Sequence, residues 1–224
     1  MTHWSYDFSK LTLWLFFRIG FGLRVRGQHG VPKTGPCIIA CNHISFLDPP
    51  LLGAVCPRRL SFLARSDLFE HRILGAYLRS VHVIPLQRGE SDIGAVRKAL
   101  DRPRRGEAVA IFPEGVRQRS GQMGMAKRGV AVLARLARVP VVPAFIRGTY
   151  EALPPDARGL RKAEIRVAFG TPIPYTNIPD SPTDQLHDGQ TADRSGQRLT
   201  SRDSQDQLTT ALMAEWRRLE QQLQ

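Results

Sequence analysis

The chain has 224 residues, enough for one domain with a sizeable core and short appendages. Its 42% hydrophobic and 23% charged content excludes collagen-like, wholly disordered and disulfide-stapled classes. A net charge of +12 calls for an anionic partner: nucleic acid, a membrane surface, or a phosphorylated or acidic substrate. Residues 180–224 carry five arginines against eight acidic residues, so the basic surplus lies ahead of them.

Segment 4–25 is dense in Trp, Leu and Phe. Its apolar stretch from Leu11 to Leu23 is broken by Arg18 and is shorter than the roughly 20 residues that span a bilayer. The pattern predicts a helix lying in a membrane interface, with Trp4, Trp14, Lys10, Arg18 and Arg24 at headgroup level. A helix packed on the core is the competing reading. The segment lacks the cationic start and small-residue cleavage site of a secretory leader.

From about residue 35 to 170, strand-like and helix-like stretches alternate. Strands are expected at Cys37–Cys41, Leu60–Ala64, Val81–Leu86, Ala108–Phe112, Val141–Ile146 and Ile165–Phe169. Helices are expected at Asp48–Val55, Asp67–Arg79, Ser91–Arg102 and Ala126–Arg138. This order predicts an α/β fold with a mostly parallel central sheet flanked by helices, and an antiparallel piece at its last two strands, which have no helix between them. The three cysteines, Cys37, Cys41 and Cys56, form no CxxC and have no histidine at zinc-ligand spacing. They read as small core residues of a reducing compartment.

Segment 180–207 has too few apolar residues to offset its chain entropy and is expected to be a disordered polar linker. Residues 208–224 then read as a helix, with Leu208, Leu212, Trp216 and Leu219 on one stripe that would dock on the domain or on a partner.

Chemistry concentrates in the loops after the apolar strands. After the first, His43 and Asp48 are five residues apart. An ideal helix would set them about 140° apart, so they meet only across a turn or helix start. Pro49 and Pro50 fit such a start. A carboxylate on one imidazole nitrogen fixes the tautomer and leaves the other nitrogen basic. His43 is therefore a candidate general base, although a capped helix with an incidental histidine fits the same spacing. Arg88 and Arg117 each follow an apolar strand. Together they could clamp a phosphate through bidentate forks, and separately each fits a solvated edge. Glu114 sits where α/β folds place ligands.

Asn42–His43–x4–Asp48 with Pro49, then Arg88, then Phe112–Pro113–Glu114–Gly115–x–Arg117, then Val139–Pro140–Val141–x–Pro143 resemble the four ordered motifs of the glycerophospholipid acyltransferases. Ala64–Arg65–Ser66–Asp67–Leu68–Phe69 and Lys127–Arg128–Gly129 resemble two further segments of that family. The resemblance covers about residues 20–175. Two residues depart from its pattern: Val116 stands where Thr is usual, and Gln118 where Ser is usual. The motif that contains Arg88 also lacks its common Gly and Phe.

The resemblance implies a glycerol-3-phosphate acyltransferase-like fold with a membrane-associating N-terminal helix. With the readings of the tail above, the chain divides into segment 1–25 on the membrane, a catalytic domain at 26–179, the linker 180–207 and the helix 208–224. The resemblance also implies acyl transfer from acyl-CoA or acyl-carrier protein to the hydroxyl of a lysophospholipid, with 1-acyl-glycerol-3-phosphate giving phosphatidic acid. His43 would take the proton and Asp48 would hold His43. Arg88 and Arg117 would hold the phosphate, Glu114 and Gly115 would place the glycerol, and Lys127 would add positive charge. No metal or bound cofactor is implied, and an anionic membrane surface at the cytoplasmic face is the expected location. Three other readings compete. A lyso-ornithine lipid is an alternative acceptor. A nucleic-acid-binding module lacks a recognition helix, a zinc knuckle or a basic face with interleaved aromatics. A catalytically dead membrane adaptor is disfavoured by the intact His43/Asp48 pair.

Overall fold

The computed structural model describes residues 4–81, 83–86, 102–103, 106–175 and 201–224. Its centre is a seven-stranded sheet. In chain order the strands are β1 (Arg24–Arg26), β2 (Cys37–Cys41), β3 (Leu60–Arg65), β4 (Ile84–Leu86), β5 (Ala108–Ile111), β6 (Val141–Arg147) and β7 (Arg166–Phe169). They lie in the order β1-β7-β6-β2-β5-β3-β4. All neighbours are parallel except β6 and β7, so the sheet is mostly parallel, as the alternating pattern predicts.

The described helices are α1 (Trp4–Phe21), α2 (Asp48–Val55), α3 (Arg72–Ser80), α4 (Gly129–Ala137), α5 (Thr149–Ala152) and α6 (Ser201–Gln222). In β2 every residue is buried, and successive side chains take opposite faces. Cys37, Ile39 and Cys41 join Leu51, Leu52 and Val55 of α2 and Phe17 and Phe21 of α1. Ile38 and Ala40 join Val130 and Leu133 of α4 and the α6 stripe. Two covered faces explain why this strand reads as a continuous apolar run.

The stripe on α6 docks on the domain itself. Leu208, Leu212, Trp216 and Leu219 are buried, and the Trp216 indole donates to the Ala40 carbonyl at 3.1 Å. Each such side chain contributes about 1.5–3 kcal/mol relative to exposure. This outweighs the poor helix former Thr at 209 and 210. At the other terminus, α1 buries Tyr6, Phe17 and Phe21 and leaves most of its apolar residues exposed. The Leu60 N–H donates to the Tyr6 hydroxyl at 2.8 Å, and burial pushes that phenol up to about 12.

Four expectations are revised. The boundary at residue 25 falls inside β1, which pairs with β7 and so belongs to the sheet. The linker expected over 180–207 is helical from Ser201, where Asp206 pairs with Arg128; residues 180–200 lie outside the described part. The stretch read as a helix over 67–79 is a 3-10 turn at Ser66–Phe69 followed by α3. The short strand β4 begins three residues later than expected. The helix expected at 91–102 lies almost wholly outside the described residues.

Candidate active site

Strands β2 and β5 are parallel neighbours, and the chain leaves them in opposite directions. From β2 it crosses by α2 to β3 on one side. From β5 it crosses by α4 to β6 on the other. Right-handed crossovers then put α2 and α4 on opposite faces, as observed in the two core clusters. The loops at the C-terminal ends of β2 and β5 meet at this edge, the edge at which such sheets hold ligands.

The first loop, 42–47, is built around Asp48. This residue opens α2, with prolines filling the next two positions, where a missing N–H costs nothing. Its fully buried carboxylate turns back on the loop. Oδ2 accepts from the backbone N–H of Ile44 and of Ser45, both at 2.7 Å, and meets His43 Nδ1 at 2.9 Å. Oδ1 accepts from the Thr149 hydroxyl at 2.7 Å. The turn thus brings the two residues together across the helix start, one of the arrangements that their spacing leaves open.

With Nδ1 donating to a carboxylate, Nε2 of His43 is the nitrogen that can accept a proton. The ring stacks on Phe112, with centroids 4.3 Å apart, and 19% of the side chain remains exposed. Asn42 precedes it and is fully enclosed. Its amide donates to the Ile146 carbonyl at 3.0 Å and accepts from the Ile146 N–H at 2.7 Å. This mimics one more rung of the β2–β6 ladder while the main chain turns away.

The second loop, 112–128, is stitched to the first. The Gln118 N–H donates to the His43 carbonyl at 2.8 Å, and the His43 N–H donates to Glu114 Oε1 at 3.1 Å. Glu114 is only 2% exposed, and its other oxygen makes no close hydrogen bond among the described residues. Burial raises the pKa of this carboxyl. The His43 N–H, the Gln118 amide and the Gly124 N–H, the last two at looser geometry, pull it the other way. The family resemblance gives Glu114 to the glycerol; in the fold its Oε1 holds the backbone of the His43 loop.

Gly115 follows with a φ of +75°. A Cβ there would lie 2.7 Å from Lys127 Nζ, so the bare glycine lets the lysine lie across the loop. Arg117 stacks its guanidinium over the Phe46 ring at 3.6 Å. Its Nε and Nη1 are buried and have no hydrogen-bond partner among the described residues. Buried N–H groups without partners are costly, and a bound anion would relieve the cost. The fold therefore gathers His43, Asp48, Glu114, Gly115, Arg117 and Lys127 on two linked loops. Arg88 lies outside the described residues.

Two contributors escape sequence reasoning. Thr149 is fully buried and comes from the end of β6, far along the chain. A signal exists in Gly148, a glycine closing an apolar strand. Its φ is +91°, and a Cβ there would lie 2.0 Å from the Glu164 carbonyl oxygen, so the turn into Thr149 requires glycine. Phe46, the platform under Arg117, looks in sequence like one more apolar residue.

Comparison with known proteins identifies the family. The family model described as Acyltransferase matches residues 22–147, which include both loops. The chain is 25% identical to a 1-acyl-sn-glycerol-3-phosphate acyltransferase of Bacillus subtilis, over 80% of this chain and 87% of that protein. It is 34% identical to the beta form of the enzyme of that name in Homo sapiens, over 57% of this chain and 48% of that one. Among solved structures it resembles the 1-acyl-sn-glycerophosphate (LPA) acyltransferase PlsC of Thermotoga maritima. That match has a TM-score of 0.71 and 20% identity, and covers 98% of this chain and 78% of that one, a likeness of fold. With more than half its length matched by the family model, the chain belongs to the acyltransferase family.

Proposed function

We propose that this acyltransferase moves a fatty acyl group from a thioester donor, acyl-CoA or acyl-carrier protein, to the free hydroxyl of a lysophospholipid. The acceptor we favour is 1-acyl-glycerol-3-phosphate, giving phosphatidic acid in phospholipid synthesis. The observation that carries this is a histidine oriented by a buried carboxylate, on a loop bonded to that of a guanidinium whose buried N–H groups have no partner among the described residues. The named relatives share the activity.

In this reading His43 Nε2 takes the proton of the acceptor hydroxyl as its oxygen attacks the thioester carbonyl. Asp48 fixes the ring and stabilises the imidazolium that forms. The tetrahedral intermediate collapses, the C–S bond breaks, and the thiolate leaves with the proton from His43. No acyl-enzyme is required, because the acceptor oxygen is itself the nucleophile. Arg117 Nε and Nη1 hold the acceptor phosphate, with Lys127 and Arg88 adding charge. Glu114 holds the catalytic loop against β5, and Gly115 offers bare backbone to the glycerol. Helix α1 lies on the cytoplasmic face of the cell membrane through the aromatic residues it leaves exposed.

The test incubates purified protein with a panel of lyso-lipids and both donor types and reads products by mass. The proposal expects phosphatidic acid as the main product. Turnover confined to acceptors without a phosphate, such as a lyso-ornithine lipid, would overturn the acceptor assignment.

A further inference from the structure

The distribution of exposed apolar side chains is uneven. Among the described residues, sixteen large apolar side chains are exposed. Seven lie on α1 and one, Leu136, on α4. The other eight sit on segments that leave the C-terminal ends of β2, β3, β5 and β6, among them Phe46, Ile73, Leu74, Tyr77, Val116 and Met125. These strands are mutually parallel, so the segments share one edge of the sheet, the edge that carries His43.

Among the described residues, helix α3 is the longest element of this edge. It buries only Gly75, where a Cβ would lie 2.2 Å from the Phe69 carbonyl oxygen. The helix therefore leans on the domain along one narrow seam. Ile73, 79% exposed, and Tyr77 stand four residues apart on one face with Leu74 beside them. Arg72 and Arg79 are exposed at either end of the helix, and Arg119 and Lys127 are exposed on the neighbouring loop. The Ser5 hydroxyl donates to the Ser80 carbonyl at 3.2 Å, joining the end of α3 to the first turn of α1. Apolar side chains ringed by cations, continuous with an aromatic helix and surrounding a site that takes a lipid, match one kind of surface.

We propose that α3 and the tips of the catalytic-edge loops form a second bilayer contact, separate from α1, that seats the mouth of the site on an anionic lipid surface. This rests on the lysophospholipid reading and deepens it. The acceptor would reach His43 from the membrane plane without fully entering water. Arg72 and Arg79 supply the preference for anionic lipid, and Ile73, Tyr77 and Met125 supply the apolar contact.

The test uses the full chain and vesicles of phosphatidylcholine with and without phosphatidylglycerol. Vesicle binding is measured by sedimentation. Activity is measured on a vesicle-borne acceptor and on a short-chain acceptor that stays monomeric in water. Ile73→Asp with Tyr77→Asn should weaken vesicle binding about ten-fold or more. It should slow the vesicle-borne reaction in proportion and leave the short-chain rate and the melting temperature unchanged. Met125→Asp, on a different loop, should act in the same direction. Arg72→Gln with Arg79→Gln should erase most of the preference for phosphatidylglycerol. Unchanged vesicle affinity in the Ile73/Tyr77 and Met125 variants would overturn the proposal. So would loss of a self-association that replaces the vesicle effect, which would assign the face to a second copy. Wild type inactive on both acceptors would overturn the acceptor reading, while the binding comparison tests the surface on its own.

Discussion

Thr149 offers a sharp test of how the His43–Asp48 pair is held. Replacing it with Val keeps the shape and removes one donor from Asp48 Oδ1, which it now meets at 2.7 Å. Both residues are fully buried, so no bulk water can replace the bond. A hydrogen bond to a charged group contributes about 1.5–3 kcal/mol, and the sealed site favours the upper half. For a domain of this size that is a melting decrease of roughly 4–10 °C. Oδ2 keeps its two backbone donors, so the carboxylate is loosened and not lost. The expected kinetic effect is a kcat lower by about ten- to a hundred-fold, with KM little changed, because no contact with the acceptor is removed. Thr149→Ser restores the hydroxyl and should recover most of kcat. The assay is steady-state acyl transfer with melting curves for all three proteins. A Val variant with wild-type kcat would refute the positioning role. A Ser variant as slow as Val would show that the methyl, and not the hydroxyl, matters.

Arg117→Lys keeps the charge and loses the planar fork over Phe46, so it should still raise KM for a phosphate-bearing acceptor by about ten-fold or more. Equal losses with a monoacylglycerol acceptor would place Arg117 elsewhere in the mechanism. Glu114 predicts a pH-dependent stability. Burial raises its pKa, so its ionisation opposes folding; the penalty is absent below the usual carboxyl range and grows as pH rises through the raised value. Glu114→Gln should melt close to wild type near pH 4 and gain on it toward neutral pH, and a constant offset across pH would refute this. All three cysteines are buried, and burial raises their thiols, that of Cys56 to about 11. A thiol reagent at pH 8 should leave the native protein unlabelled and modify all three after unfolding, as read by mass. Rapid native labelling would contradict the packing described for β2 and α2.

Much of the fold is written in local pattern. The run Cys37–Cys41 is apolar on both faces because the sheet is covered on both sides, and α2 begins at Asp48 because the following prolines permit little else. The α6 stripe is legible because its period is helical, but its start is not. Residues 201–207 are polar, and they are helical in continuity with a segment whose apolar face is buried, with Arg128–Asp206 adding an exposed pair. The strand β1 is also hidden: three residues, Arg-Val-Arg, carry no alternation to read, and its pairing with β7 is set at long range. At the site, His43, Asp48, Glu114 and Arg117 are legible through their ordered motifs. Thr149 and Phe46 are not, because each acquires its role only when the parallel sheet brings separate loops to one edge.

The central claim is that His43 is the general base of a transfer to a lyso-lipid hydroxyl. Its direct measurement is the rate of phosphatidic acid formation by His43→Ala, with wild type and Asp48→Asn measured in parallel and folding verified by melting. The account predicts a loss of about 10²–10⁴ in kcat for His43→Ala, and a smaller loss for Asp48→Asn, which disturbs orientation and leaves the base in place. A folded His43→Ala protein that still forms product at a near wild-type rate would contradict it.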